Sequence, residues 1–152
     1  MSDARQYCTF YLGAQYFGID VLLVQEIIRY QEMTRVPLAP PVVRGLINLR
    51  GQIVTALELR KRLELPERPP GGFPVNVVVH IDDGAVSLLV DEIGDVLEVP
   101  ESAFEPPPET LRGAARDLIR GAYKLDGRLL LVLDVPRTVS LHEHTQHSGE
   151  AS

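Results

Sequence analysis

Along most of the chain, apolar positions fall in short runs broken by glycine, proline and acidic turn residues. CTFYL (8–12), GAQ (13–15) and YFGI (16–19) predict a β-hairpin. Asp20 is placed to cap a short helical turn through LLVQE (22–26), after which IIRYQEMTRV (27–36) returns as a strand. LINL and QIVTAL flank Arg50-Gly51 and read as a second hairpin. ELRKRLEL (58–65) is a short helix ended by Pro66. The pattern then resumes with VNVVVHI, the turn DDG, AVSLLV, DVLEV and the hairpin AYKL-DG-RLLLVL. VVV and LLLVL lack polar alternation, as expected of strands covered on both faces. Strands do not alternate regularly with long helices, which argues against a parallel α/β fold.

The pattern repeats. LLVQEI at 22–27 and LLVDEI at 88–93 agree at five of six positions. RGLINLRGQIVTALEL at 44–59 and RGAYKLDGRLLLVLDV at 120–135 agree at Arg, Gly, Leu, Gly and Leu. The elements keep one order in both copies, with ten extra residues in the second Pro-rich connection, which contains PESAFEPPPETLRGAARD. The chain therefore reads as a duplicated module of about five short strands, the signature of a small barrel. The first module covers about 7–66 and the second about 73–135. Strands are free to exchange between two barrels that share an apolar seam. The twins differ at one instructive place. Asp126-Gly127 is a favoured two-residue turn, because aspartate tolerates positive φ. Arg50 has no such local advantage, which points to work outside the turn. The alternative is a surface arginine paired with Glu26 or another nearby acid.

Composition narrows the chemistry. The 152 residues are 45% apolar and carry a net charge of −6 with no Trp. The acidic balance argues against nucleic acid. RKR at 60–62, the tight basic cluster, reads as a solvated helix face. No apolar run approaches the roughly 18–20 residues that span a membrane. The start, MSDARQY, has no signal-peptide pattern, and the one cysteine, Cys8, reads as a buried structural thiol. These features point to the cytoplasm, with no membrane insertion. Phosphate-loop, serine-hydrolase, HExxH and CxxC motifs are absent, so no catalytic residue, cofactor or metal is expected. His142, His144 and His147 fall in a polar tail, 142–152, expected to be disordered rather than a weak metal site. His80 reads as a satisfied barrel-wall residue. Glu26 and Glu92 recur with their motif, so each can simply solvate its turn.

FGIDVLLVQEIIRYQEMTRVP, VVRGLINLRGQIVTALELRKRL and VSLLVDEIGDVLEVP together resemble the CheW family of chemotaxis coupling proteins, from about Tyr7 to Leu141. The resemblance implies a mainly β fold, two five-stranded SH3-like barrels in one CheW-like domain (7–141) with short helices. It implies no enzymatic activity. It implies a stand-alone adaptor joining the cytoplasmic tips of chemoreceptors (methyl-accepting chemotaxis proteins) to the regulatory domain of the CheA histidine kinase, in arrays gathered at the membrane. Receptor contact is implied for Val24, Glu26, Gly45 and Arg50, with Ile93 and Val96 on the opposite groove wall; Val24, Ile93 and Val96 are alternatively ordinary core. Thr110 and Leu111 are weaker candidates for kinase contact. Thr55-Ala56 and Glu58-Leu59-Arg60 depart from the family's frequent proline and Asp-Leu-Arg. Those departures suggest a divergent paralogue serving a non-flagellar pathway such as pilus motility. A barrel that binds small ligands ranks below both readings.

Overall fold

The computed structural model describes residues 4–141, so the histidine-containing tail lies outside the described residues. Four hairpins form where the apolar pattern places them. They are β1 (Ala4–Leu12) with β2 (Gln15–Asp20), β4 (Val43–Leu49) with β5 (Gln52–Glu58), β6 (Val75–Ile81) with β7 (Gly84–Val90), and β9 (Ile119–Leu125) with β10 (Arg128–Leu133). β3 (Val24–Ile28) and β8 (Glu92–Pro100) are the single strands between them. The helices α1 (Leu59–Arg62), α2 (Gly113–Leu118) and α3 (Val135–Val139) are short.

Asp20 does cap a helical turn, its carboxylate accepting the Leu22 N–H at 2.9 Å. That turn is only Val21–Leu23, and Val24 onward is strand. The expected strand through 36 stops at Ile28, and the chain then makes one isolated bridge at Thr34.

The strands form two five-stranded sheets, β8-β1-β2-β10-β9 and β3-β6-β7-β5-β4. Position by position these orders are the same, with β8, β1, β2, β10 and β9 replaced by β3, β6, β7, β5 and β4. Each sheet thus takes its leading hairpin from one half of the chain and three strands from the other. The stretches 7–66 and 73–135 are repeats in sequence, but neither is a sheet. β1 and β2 leave the first stretch because β2 pairs in parallel with β10, Phe17 beside Leu131. β7 makes the twin parallel pair with β5, Leu88 beside Leu57.

Alternation along the exchanged strands explains the continuous apolar runs. Val77 and Val79 face a core shared between the sheets, together with Phe10, Leu57, Leu88 and Leu131. Val78 faces the other way, onto Ile47, Leu49 and Val54 inside its own sheet. In β10, Leu131 and Leu133 enter the shared core, while Leu130 and Val132 pack with Tyr7 and Tyr123. Each such side chain removed from water contributes about 1.5–3 kcal/mol.

Both sheets close on themselves by one device. The segment after β3 bridges β4, with Thr34 and Leu46 exchanging N–H···O bonds of 2.9 and 2.8 Å. The segment after β8 bridges β9, with Glu105 and Ala122 exchanging two bonds of 2.9 Å. The glycines of the repeated Arg-Gly pairs make room for these bridges. A Cβ on Gly45 would sit 2.8 Å from the Thr34 carbonyl oxygen. One on Gly121 would sit 2.5 Å from the Glu105 carbonyl oxygen and 2.2 Å from Phe104 Cζ. Gly121→Ala is expected to cost about 1–3 kcal/mol by overpacking. Gly72→Ala, where an added Cβ meets nothing within 4 Å, should cost under about 0.5 kcal/mol. Urea unfolding of the two variants checks the contrast.

Two surface assignments change. Arg60 is only 8% exposed, so RKR is not a solvated face. Its guanidinium grips Asp91 and the Pro66 carbonyl, and Arg62 donates to the carbonyls of Thr138 and Arg137. His80 points to solvent from β6 rather than being satisfied within a barrel wall. Cys8 is buried, as its apolar surroundings suggested, and burial pushes its thiol pKa up. Among the described residues, no helix is long and apolar enough to cross a membrane.

Candidate functional site

The β4–β5 turn inverts the expectation drawn from its sequence. Arg50 takes φ 53° and Gly51 φ 91°, the positive pair of a type I′ turn. In the twin turn, Gly127 has positive φ (81°) and Asp126 does not. The arginine, not the aspartate, occupies the left-handed region, where a side chain costs about 1–2 kcal/mol. Asn48 supports the turn by accepting the Gly51 N–H at 2.8 Å. The Arg50 side chain is 72% exposed and bonds Glu26 on β3. The alternative reading, a surface arginine paired with Glu26, therefore describes a contact that is present. That hydrogen bond holds the Glu26 carboxyl below its ordinary pKa.

A register shift in β3 sorts its neighbours. Val24 pairs with Val79 and Glu26 with Val78. In a regular strand, residues two apart share a face. Here Val24 packs, half-buried, against the shared core, while Glu26 turns to Arg50. The β3–β6 pairing and the β4–β5 hairpin thus bring together two of the residues singled out from sequence.

The other candidates lie elsewhere. Gly45 is buried beneath Met33 and Thr34 and offers no side chain to a partner, so its part is to let the barrel close. Ile93 (36% exposed) and Val96 (56%) stand on β8, opposite Phe10 and Cys8 at the edge of the other sheet. Thr110 is exposed in the connection before α2, and Leu111 beside it packs partly on the shared core. Sequence reasoning passed over Ile53 (60% exposed), three residues from Arg50 on the same hairpin, and Leu22 (81%) on the turn before β3. Both lie inside apolar runs, so pattern alone reads them as core.

It also passed over a charged cluster beneath the surface. Arg60 and Arg68 both bond Asp91, and Arg68 clasps Glu58 with two bonds of 2.7 and 2.9 Å. These four side chains are 7–16% exposed. Burial pushes the Asp91 carboxyl up, but bonds from Arg60, the Gly13 N–H and Arg68 outweigh it and hold its pKa below the ordinary value.

Comparison with known proteins agrees with this fold. The "Chemotaxis protein CheW" of Treponema pallidum is 32% identical over 145 residues, covering 91% of this chain and 84% of the relative. "Protein PilI" of Pseudomonas aeruginosa is 26% identical over 92% of this chain and 75% of the relative. The crystal structure of the scaffolding protein TtCheW from Thermoanaerobacter tengcongensis superposes with a TM-score of 0.76 at 28% identity, covering 85% of this chain and 83% of that one. Residues 6–143 match the family model described as the CheW-like domain, and the chain accordingly belongs to the CheW family.

Proposed function

We propose that this protein is a non-catalytic adaptor that couples the cytoplasmic tips of chemoreceptors to the CheA histidine kinase, in arrays assembled beneath the membrane. The CheW-like domain, about 7–141, supplies both contacts. The observation that carries this reading is Arg50, an arginine held in a conformation costly to its own turn and displayed to solvent beside Glu26. A guanidinium so placed suits a carboxylate or the exposed carbonyls of a helix end. Receptor contact is assigned to Val24, Glu26, Arg50, Ile93 and Val96, with Gly45 shaping the hairpin beneath. Kinase contact is assigned to the Thr110–Leu111 segment. Binary titrations against a receptor tip fragment and against the CheA regulatory domain test the reading. Each should saturate at 1:1, and failure to bind either would end it.

Val24→Asp separates contact from core. Val24 is half-buried on β3. As a contact residue, its replacement should weaken receptor binding at least tenfold while costing under about 1 kcal/mol of stability. A loss of several kcal/mol, the scale of an unpaired buried charge, would return Val24 to the core. Thermal melting beside a pull-down reads both quantities.

A second reading, an adaptor for a non-flagellar pathway such as pilus motility, rests on the departures at Thr55-Ala56 and Glu58-Leu59-Arg60 from the family's frequent residues. Titration against receptors and kinases of the two pathways decides between them.

A further inference from the structure

The exchange of hairpins makes the two halves of this chain a pair of interlocked partners. β1 and β2 of the first half complete a sheet with β8, β9 and β10 of the second, while β6 and β7 of the second complete a sheet with β3, β4 and β5 of the first. Four hydrogen bonds between the halves converge on one carboxylate. Asp91, between β7 and β8, receives the Gly13 N–H at 2.7 Å, Arg60 at 2.5 and 3.1 Å, and Arg68 at 2.9 Å. All of these donors lie N-terminal to the 69–73 connector. Arg62 adds bonds to the Thr138 and Arg137 carbonyls, and Glu64 accepts the Ala114 N–H at 3.1 Å. The connector itself makes few contacts, chiefly the Phe73 ring against Tyr30. Pro69 to Phe73 are exposed, and a Cβ built on Gly71 or Gly72 meets nothing within 4 Å.

We propose that the interface between the halves is a complete recognition surface whose partner is the complementary half, that the 69–73 connector is dispensable, and that Asp91 is the polar key of the pairing. Neither half holds the candidate site alone. The strand leading from the Arg50 turn is held by β7, and the strand bearing Glu26 by β6. The β8 edge bearing Ile93 and Val96 is held by β1.

The test uses the whole protein with a protease site inserted between Gly71 and Gly72 and cleaved after folding. The two pieces are expected to co-elute at the mass of the uncut chain. They should unfold in one transition whose midpoint rises with protein concentration, as a bimolecular pair must, while the uncut chain melts independently of concentration. Asp91→Asn in the cut protein should raise the dissociation constant of the pieces at least tenfold. Pieces that part as two folded units, or two concentration-independent transitions, would overturn the interlock. An Asp91→Asn affinity within twofold of the parent would overturn the role of Asp91.

Discussion

Asp91→Ala is expected to destabilise the fold by about 3–5 kcal/mol, the range for removing one partner from a buried ion pair. The cost is not the lost bonds alone. Arg60, with its side chain 10% exposed, is left without a carboxylate partner, while Arg68 loses one of its two and keeps Glu58. The Gly13 N–H loses its acceptor as well. Urea unfolding gives the number, and a loss below about 1 kcal/mol would mean that solvent already screens the cluster. The same carboxylate sets a pH dependence. Its folded pKa lies below the unfolded value, so its contribution is fully present above about pH 4 and is lost as pH falls through the folded pKa. The stability difference between the parent and Asp91→Asn should therefore shrink as pH drops below about 4, and stay constant from about 5 to 8.

Arg50→Asp is expected to weaken receptor binding by about 1.5–3 kcal/mol, roughly 10- to 150-fold, the scale of a charge-assisted hydrogen bond. Binding to the kinase alone should change little. The substitution copies the twin turn but sets a carboxylate beside Glu26. Arg50→Asn is therefore the companion variant, since asparagine accepts the left-handed region without adding charge. Arg50→Asn should melt at or above the parent temperature and still lose receptor affinity. Unchanged receptor affinity in both variants would reduce Arg50 to a surface partner of Glu26. Equal losses for receptor and kinase would indicate a general disturbance of the hairpin.

Hairpins, the duplication and the doubly covered strands were legible because each is written locally. A two-residue turn between apolar runs fixes its own pairing, and VVV or LLLVL announces burial on both faces. The exchange of hairpins was not legible. In a duplicated sequence the pattern that lets β1 and β2 join one set of three strands also lets them join the other. Only the two parallel strand pairings, β2 with β10 (Phe17 beside Leu131) and β5 with β7 (Leu57 beside Leu88), express the crossed arrangement. Arg60 read as solvated because its partner lies 31 residues away, at the junction of two strands of the other half. At the candidate site, the oddity of Arg50 was visible in the comparison of twins. Its cause was misplaced, since the favoured dipeptide Asp126-Gly127 does not adopt the conformation for which it is favoured. Gly45 shared the repeated Arg-Gly signal with Gly121, and in both copies that signal marks a place where the closing bridge needs room.

The most direct test of the adaptor role is the amount of CheA that sediments with a receptor cytoplasmic fragment as this protein is titrated in. The expected result is that CheA enters the pellet in proportion to the protein added, up to saturation. The Arg50→Asp variant, though folded and able to bind CheA, should leave it in the supernatant. CheA sedimenting equally well without the protein, or equally well with Arg50→Asp, would contradict the coupling role and the place of Arg50 in it.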